Sequence, residues 1–246
     1  MRVLLIILLA WLARRLAKKI RARRQHRKLV RQLKDLGVYG GTMCVKNTGS
    51  PAAPPPALSA KPDGPVPFGY KTAWLAVRCQ DPRQAAAALS RPHRERASWE
   101  AGLSCSLEPG GAVFFSPVMD DFVLAIGYEL FALTQQQDKL EALAALFPEV
   151  QYFSSHRVSS SYCWVRYQAG ACVRAYCVQD GQVLRSTGAL TPEEQALGFD
   201  AFPTTDGQDT DRWPDEEDVL DIAAAWGIDP RFETKSYPPS TGWVCD

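Results

Sequence analysis

Apolar and polar positions alternate with a period of two through the middle of the chain, a pattern typical of β-strands. The clearest run covers residues 150–187, where four short segments rich in β-branched and aromatic residues follow one another: VQYFSS, SYCWVRYQ, ACVRAYCV and QVLRST. Ala-Gly and Asp-Gly pairs separate the last three segments, and such pairs favour tight hairpin turns. We therefore predict an antiparallel meander in this region.

Three strands and two helices are predicted upstream of the meander. The strands are KTAWLAVRC (71–79), AVFFSP (112–117) and DFVLAIG (121–127). Asp81 is a suitable N-cap, and Pro82 suits the first turn of a helix that continues to Leu89. The segment at 137–147 has apolar residues on one helical face: Leu140, Leu143, Ala144 and Phe147. The predicted fold class is α+β, mainly an antiparallel sheet (a meander) with a few packing helices, preceded by an N-terminal membrane or basic helix and a Pro-rich linker.

The stretch DRWPDEEDVLDIAAAWGIDP, residues 211–230, predicts a helix with a strongly acidic first turn. Pro214 suits the first helical position, while Gly227 and Pro230 end the helix. One face is apolar with helical spacing: Val219, Ile222, Ala223 and Trp226. Four carboxylates occupy the first turn or the positions just beyond it: Asp215, Glu216, Glu217 and Asp218. The helix dipole favours acidic residues there, but it accounts for only two or three of them.

The amino-terminal segment VLLIILLAWLA, residues 3–13, is apolar and is followed at once by basic residues. It is shorter than the roughly 20 residues of a full membrane span, and its charge follows the apolar core, unlike that of a secretory signal. We expect residues 1–36 to form a short membrane anchor and a basic amphipathic helix that binds anionic membrane lipids. A nucleic-acid-binding arm is the alternative, although the apolar lead segment would have no use there.

A Pro-rich stretch separates this segment from the rest of the chain. Residues 47–67 contain seven prolines and few large side chains. Such a composition gives an extended, semi-rigid spacer. Three parts are therefore predicted: the anchor with the basic helix (1–36), the linker (37–67) and a globular α+β domain (68–246).

The net charge of +1 conceals a strong asymmetry along the chain. Residues 1–36 carry twelve basic side chains and one acidic side chain, a net +11, so the remainder of the chain carries −10. Residues 193–246 hold fourteen acidic and three basic side chains, a net −11. The negative charge is thus concentrated in the last quarter of the sequence, which favours a basic partner for that region.

The seven cysteines form no C-x-x-C pair and have no histidine at zinc-binding spacing. Several lie within predicted strands, where a free thiol packs as a small apolar group. We expect them to be reduced, which favours a cytoplasmic environment. Because basic residues prefer the cytoplasmic side of a membrane, the protein is expected at the inner membrane with its globular domain facing the cytoplasm.

Metal binding and paired-carboxylate catalysis are both disfavoured by residue spacing. An EF-hand-like window runs from Asp206 to Glu217, but Asp211 occupies the position that requires glycine. Asp120 and Asp121 are adjacent, and adjacent residues of a strand point to opposite faces. No metal, no other cofactor and no catalytic carboxylate pair is therefore expected.

His156 lies close in sequence to several serines and to Cys163. A Ser-His or Cys-His pair at this place could act as a hydrolase. However, the sequence has no G-x-S-x-G elbow, and serines between strands are usually turn residues. We predict no catalytic residues, and a membrane-associated hydrolase that uses His156 remains a minor alternative.

Trp213 differs from the other tryptophans because charged residues surround it in a predicted loop. An aromatic side chain ringed by charge is typical of a protein interface, although packing over the helix start is an equal alternative. We predict a partner-binding surface made of Trp213 and the nearby carboxylates: Asp209, Asp211, Asp215, Glu216, Glu217 and Asp218.

Several blocks of the sequence resemble a widespread bacterial family whose members are mostly uncharacterised. The blocks are FGYKTAWLAV, VQYFSSHRV, CWVRYQAGACVRAY, TPEEQALG and DEEDVLDIAAAWGIDP, in the same order, and they cover roughly residues 68–244. Some members of that family are similar to immunity proteins that neutralise nuclease toxins delivered by type VI secretion. The resemblance implies that this chain, with its apolar amino-terminal segment, is such an immunity protein, and it supplies no catalytic residues to carry over to this sequence.

The hypothesis from the sequence is therefore a non-enzymatic, membrane-tethered immunity protein. Its expected partner is a basic toxin, a nuclease whose substrate groove is positively charged, and complementary charge would accelerate binding to the acidic last quarter of the chain. No direct contact with nucleic acid is expected. A membrane-associated adaptor of a secretion system is the main alternative.

Overall fold

The computed structural model describes residues 58–91, 94–205 and 212–246. Within these residues nine strands are present: β1 (Thr72–Arg78), β2 (Arg94–Ala97), β3 (Val113–Phe115), β4 (Phe122–Ile126), β5 (Glu149–His156), β6 (Ser161–Gln168), β7 (Ala171–Gln179), β8 (Gln182–Thr187) and β9 (Gly242–Cys245). The same residues contain five α-helices: α1 (Pro82–Ala88), α2 (Trp99–Ser106), α3 (Gln137–Ala144), α4 (Pro192–Leu197) and α5 (Glu216–Trp226). Short 3₁₀ segments lie at Tyr128–Gln135, Arg157–Ser159 and Phe199–Ala201.

The nine described strands form one sheet in the order β2-β9-β3-β4-β1-β5-β6-β7-β8. Every neighbouring pair is antiparallel. The prediction of an α+β fold with a mainly antiparallel sheet is therefore confirmed. The predicted anchor, the basic helix and the linker as far as residue 57 lie outside the described residues.

The predicted meander is confirmed as β5 to β8. The two predicted turns, Ala169-Gly170 and Asp180-Gly181, have φ angles of 48°, 80°, 48° and 76°. Positive φ at both central residues is what a type I′ hairpin turn requires, and its twist matches that of the flanking strands. Local turn chemistry thus sets the pairing next to each turn, and a β-bulge shifts the register farther along each hairpin, at Arg166/Tyr167 and at Cys177/Val178.

Predictions upstream of the meander also agree with the structure. β1, β3 and β4 fall inside the predicted segments, and α1 begins at Pro82. Its N-cap is Asp81, whose carboxylate accepts a hydrogen bond from the Arg83 backbone N–H (2.9 Å). α3 buries the apolar residues that its spacing predicted, Leu140, Leu143 and Ala144.

Both faces of the sheet are covered, so the strands form the middle of three layers. One face, here called the aromatic face, packs against α2, α4 and α5. It carries a row of large side chains across β3, β4, β1, β5, β6 and β7: Phe114, Ile126, Trp74, Phe153, Trp164 and Tyr176. The opposite face packs against α1, α3 and the 3₁₀ segment Tyr128–Gln135. Burial on both sides explains why β1 and β4 are apolar at successive positions.

Two strands that the sequence pattern does not predict extend the sheet. β9 lies between β3 and β2, with Val244 opposite Phe114 and Trp243 opposite Arg96. Both β2 and β9 are only four residues long. Their partners lie far away in the sequence, so a local pattern carries little information about them.

The folded domain begins before residue 68. Asp63 and Ser240 exchange two backbone hydrogen bonds of 3.3 and 2.8 Å. The Asp63 carboxylate also accepts hydrogen bonds from the first backbone N–H groups of α2, those of Trp99 (2.6 Å) and Glu100 (3.0 Å). Residues 58–67, assigned to the linker from their proline content, are therefore held on the domain. Proline content reports the absence of regular strands or helices, not the absence of tertiary contacts.

One cysteine pair departs from the expectation of reduced thiols. Cys163 and Cys177 lie directly opposite each other on β6 and β7 and form a disulfide. The expectation was wrong for this pair because the meander register, invisible in cysteine spacing, brings the two residues together. Cys79, Cys105, Cys172 and Cys245 are free. The cytoplasmic placement consequently rests on the basic amino-terminal segment and no longer on the cysteines.

No helix within the three described ranges is long and apolar enough to cross a membrane. The apolar segment at 3–13 is outside those ranges.

Candidate functional site

The acidic start of α5 is held by a reciprocal pair of capping hydrogen bonds. Asp215 is the N-cap, and its carboxylate accepts a hydrogen bond from the Asp218 backbone N–H (3.2 Å). The Asp218 carboxylate in turn accepts one from the Asp215 backbone N–H (3.0 Å). The helix therefore begins at Glu216, and Pro214 lies just before the cap, not in the first helical position as predicted. Two of the four predicted carboxylates serve to start the helix.

Glu216 connects α5 to the ends of two central strands. Its carboxylate accepts hydrogen bonds from the Lys71 backbone N–H (3.2 Å) and from the Ser155 hydroxyl (3.0 Å). The Arg157 guanidinium lies 3.8 Å from the same carboxylate. Only 12% of the Glu216 side chain is exposed. This residue fixes the helix start on β1 and β5 and offers little charge to solvent.

The carboxylates of Glu216, Glu217 and Asp218 in this turn form ion pairs. Glu217 is the most exposed of these three, with 44% of its side chain accessible. It accepts a hydrogen bond from the Tyr70 hydroxyl (2.7 Å) and lies 3.5 Å from the Arg231 guanidinium. Burial and the adjacent Glu217 carboxylate raise the pKa of Tyr70, which keeps the phenol protonated. Arg231 also pairs with Asp221 (3.0 Å) and Asp229 (2.8 Å), so the charges around Glu217 are held in a network.

The predicted acidic surface is thus much smaller than the sequence suggests. Asp218 is buried, with the Arg212 guanidinium 3.6 Å from its carboxylate. Asp209 and Asp211 lie outside the described residues. Glu216 and Asp218 offer little charge to a partner, because the N-terminal turn of α5 packs onto the sheet instead of projecting from it.

Three large apolar side chains remain exposed around this turn. Tyr70 is 47% exposed and contacts Glu217, Val158 is 75% exposed beside Arg157, and Trp213 is 36% exposed two residues before the N-cap. Here Tyr70, Val158, Trp213 and Glu217 are called the α5 surface. Exposed aromatic and aliphatic groups next to charge are typical of protein interfaces.

Only part of the α5 surface was predictable. Trp213 and Glu217 belong to the predicted set, whereas Tyr70 and Val158 do not. Tyr70 precedes β1 at a bend where Lys71 has a positive φ of 51°. Val158 is an apolar residue in a serine-rich turn, and this contrast is the signal that could have identified it.

His156 is arranged as a turn-forming residue. Its Nδ1 lies 2.8 Å from the Ser159 hydroxyl, and its ring packs edge-on against Phe131 with centroids 5.5 Å apart. Within the described residues no carboxylate forms a hydrogen bond or ion pair with the imidazole. Cys163 is joined to Cys177 and is not a free thiol. A Ser-His pair is present, but the third group that usually orients such a pair is not among the described residues.

The adjacent aspartates of the MDDF segment have separate partners. Asp120 accepts hydrogen bonds from Lys235 and from the Tyr237 hydroxyl (2.6 Å), and these bonds lower its pKa. Asp121 accepts a hydrogen bond from the Gln80 side-chain amide (3.1 Å). Across the described ranges there is no group of three or more metal-ligating side chains placed to hold an ion.

Comparison with known proteins gives no relationship on which a function could rest. Neither a family model, nor a curated protein, nor a solved structure matches this chain. The geometry and charge of the α5 surface therefore carry the functional proposal.

Proposed function

We propose that this protein is a membrane-tethered immunity protein, which binds and neutralises a type VI-secreted toxin of the nuclease class. The observation that carries the proposal is the α5 surface, where Tyr70 contacts Glu217 and both Val158 and Trp213 are exposed near the same helix start. This surface lies on a body with a large excess of acidic residues. Its counterpart would be the basic groove with which a nuclease holds its substrate. Covering that groove would stop the toxin without any catalysis by the immunity protein.

Charge supports this choice of partner. The chain outside residues 1–36 carries −10, and residues 193–246 alone carry −11. Opposite net charges accelerate encounter between proteins, and the acceleration weakens as salt screens it. The body should therefore associate with a basic toxin faster at low ionic strength than at high ionic strength.

Aromatic contacts would supply most of the affinity. Tyrosine and tryptophan are enriched among the residues that dominate protein interfaces, since each buries a large area with little loss of side-chain freedom. Tyr70 and Trp213 have the required exposure, and the network below them holds the backbone in place. The buried carboxylates Glu216 and Asp218 would act only by positioning this surface.

The first test is capture of partners by the full tagged chain from cells of its own source, with washes at low and high salt. A stoichiometric basic protein, whose nuclease activity disappears in the complex, would support the proposal. Envelope components of a secretion system in its place would support the adaptor hypothesis. Recovery of no stoichiometric partner from toxin-producing cells would contradict both.

Point variants then locate the interface. Trp213→Ala and Tyr70→Ala should each weaken toxin binding at least tenfold, which corresponds to about 1.4 kcal/mol. Leu146→Ala is the matched control because Leu146 is also an exposed large apolar residue (65%) but lies at the end of α3. Equal affinity of all three variants and the wild type would exclude the α5 surface as the binding site.

The hydrolase alternative has one supporting observation, the 2.8 Å contact between His156 and the Ser159 hydroxyl. Purified full chain can be assayed on generic esters, with His156→Ala and Ser159→Ala as controls. Hydrolysis that both substitutions abolish would favour an enzyme over an inhibitor. Absence of turnover above the variants would remove this alternative.

A further inference from the structure

The outermost strand β2 carries a set of arginines that the toxin-binding proposal does not use. Arg91 lies just before the strand, and Arg94 and Arg96 are exposed on it. In the part of the chain that the structure describes, no carboxylate forms an ion pair with any of these three guanidinium groups. The charge of Arg94 acts on the Asp81 carboxylate without a direct ion pair, whereas the arginines near α5 form direct ion pairs. A cationic edge therefore exists on a body that is otherwise acidic.

The two faces of this edge differ in charge. Arg94 is opposite Cys245 and Arg96 is opposite Trp243, residues that pack on the α1 and α3 side of the sheet. Glu95 lies between them and is opposite Val244, which belongs to the aromatic face. Successive side chains of a strand point to opposite faces. The arginines thus share one face of β2, and the intervening carboxylate points to the other.

Trp243 gives the arginine face an amphipathic character. The Arg96 guanidinium lies 4.4 Å from the Trp243 ring centroid and donates a hydrogen bond to the Thr241 hydroxyl (2.8 Å). Trp243 itself is only partly buried. Tryptophan together with arginine is the pairing found at membrane–water interfaces, where the indole lies at headgroup level and the cation binds phosphate.

The chain also enters the folded domain beside this edge. The Ser98 backbone N–H, directly after β2, donates a hydrogen bond to the Ser59 carbonyl (2.6 Å). Ser59 is next to the first described residue, and the residues before it include the apolar segment at 3–13 and the +11 of residues 1–36. A tether that leads to a membrane would therefore reach the body at β2, which raises the local concentration of this edge at the lipid surface.

We propose that the Arg94 and Arg96 edge of β2 is a second membrane contact, which binds the anionic headgroups of the bilayer that holds the tether. This inference rests on the membrane-tethering part of the proposed function. The contact would orient the body. β1, beside which the α5 surface lies, is four strands away from β2 in the sheet, or roughly 20 Å at the usual strand spacing. The α5 surface would then stay open to a soluble toxin while β2 lies on lipid.

Arginine-specific labelling of the full chain tests this contact. The protein is reconstituted with vesicles of phosphatidylcholine alone or of phosphatidylcholine with phosphatidylglycerol, treated with phenylglyoxal and read by mass spectrometry. Modification of Arg94 and Arg96 should be about fivefold slower on the anionic vesicles, as expected for loss of access at a charged lipid surface. Arg157, exposed at the α5 surface, is the internal control and should react equally on both.

A variant distinguishes lipid contact from a change in folding. Arg94→Gln leaves the contact of Arg96 with Trp243 intact and should restore most of the Arg96 reactivity on anionic vesicles. Lys139→Gln, which removes one exposed positive charge from α3, should not. Equal labelling of Arg94 and Arg96 on the two vesicle types would overturn the proposal, and so would protection that Arg94→Gln leaves unchanged.

Vesicle flotation separates the two hypotheses. A chain that floats with both vesicle types but shows no protection at β2 is tethered without this second contact. A chain that floats with neither contradicts the tether and the β2 contact together. If β2 instead binds an acidic protein, the chain will float and the labelling will be the same on both vesicle types.

Discussion

The first turns of α4 and α5 begin with the same capping arrangement, but their acidic side chains lie in different surroundings. Each has a capping box: Thr191 with Glu194 in α4, and Asp215 with Asp218 in α5. Both helices pack on the aromatic face of the sheet. Both sequences have the acidic residues typical of a helix start, yet Glu194 of the α4 turn is fully buried whereas Glu217 of the α5 turn reaches the surface.

In α4 the Glu194 carboxylate is held by contacts inside the protein. Glu194 is fully buried and accepts hydrogen bonds from Arg174 Nε (2.9 Å), Trp164 Nε1 (2.8 Å) and the Thr191 backbone N–H (2.8 Å). The guanidinium of Arg174 continues to the backbone carbonyls of Thr187 (3.2 Å) and Gly188 (3.3 Å). These hydrogen bonds hold β7, the end of β8 and the start of α4 together. The Glu194 carboxylate is therefore not accessible to a partner.

In α5 the same kind of turn leaves Glu217 accessible. Glu217 is substantially exposed beside Tyr70 and Trp213, whereas Glu216 and Asp218 are turned into the protein. The comparison shows that the number of acidic residues in a helix start does not measure its surface charge. The surface charge depends on which positions of the turn point toward a neighbouring strand.

A third cluster joins the two helices. Glu149 accepts hydrogen bonds from Arg78 Nη2 (3.0 Å), Arg166 Nε (2.8 Å) and Gln151 Nε2 (2.8 Å). Gln151 also donates to the Trp226 carbonyl at the end of α5 (3.2 Å). Arg166 lies 3.8 Å from Glu193 in the first turn of α4. Burial raises the pKa of Glu149, but the hydrogen bonds and the Arg166 charge outweigh it, and the net pKa is lowered.

The largest expected effect on stability is at the start of α4, where Glu194 is buried. Arg174→Met would leave the Glu194 carboxylate buried without its cation, and we expect the free energy of unfolding to fall by about 3–5 kcal/mol. Arg157→Met is the matched change at α5, where the arginine is exposed, and should cost less than about 1 kcal/mol. Urea denaturation of the full chain followed by tryptophan fluorescence measures both. Equal losses would mean that the two turns do not differ as described.

The next effect concerns the cluster that joins the helices. Glu149→Gln should lower the free energy of unfolding by about 1.5–3 kcal/mol near neutral pH, since hydrogen bonds to a charged group are lost. The folded protein lowers the pKa of Glu149, so the stabilisation is present above the ordinary pKa and disappears as pH falls through the lowered value. The difference between wild type and variant should therefore shrink below a pH of about 4.5.

Denaturation at several pH values checks this dependence. Glu108→Gln, at an exposed turn, is the control and should show little difference from the wild type at any pH. A gap between wild type and Glu149→Gln that stays constant down to acidic pH would show that the carboxylate charge does not stabilise the cluster.

A smaller effect separates capping from charge at α5. Asp215→Ala should destabilise the protein by about 1 kcal/mol because the Asp218 backbone N–H loses its acceptor. Asp215→Asn removes the charge but keeps an acceptor, so it should retain most of the stability. Thermal unfolding of the two variants under identical conditions gives the comparison. If Asp215→Asn destabilises the protein as much as Asp215→Ala, the charge of Asp215, and not its capping bond, stabilises the helix start.

The smallest change in stability is expected at the exposed carboxylate. Glu217→Gln should alter the free energy of unfolding by less than about 1 kcal/mol, as is usual for exposed ion pairs. With a basic toxin in hand, the same variant should associate more slowly than the wild type at low salt and equally fast at high salt. Stopped-flow measurement at two salt concentrations reads this directly. An unchanged low-salt rate would exclude Glu217 from steering the toxin.

The α5 region also shows why part of the site was predictable and part was not. The apolar helix face and the capping bonds between Asp215 and Asp218 depend on residues within a few positions of one another. The partners of Glu216 and Glu217 are Ser155, Lys71 and Tyr70, which come from strand ends far away in the sequence. For that reason the sequence suggested one acidic surface, whereas in the fold Glu216 and Asp218 are turned into the protein and Glu217 stays accessible.

By itself the sequence determined the elements whose causes are local: the period of the strands, the positive-φ turns of the meander, the Asp81 cap of α1 and the apolar faces of α3 and α5. Only the tertiary structure decided which distant residues meet. It inserts β9 beside β3, joins Cys163 to Cys177, holds Asp63 at the start of α2 and places Arg94 and Arg96 on one face of β2. These features depend on the order of strands in the sheet, and residue spacing along the chain carries little information about that order.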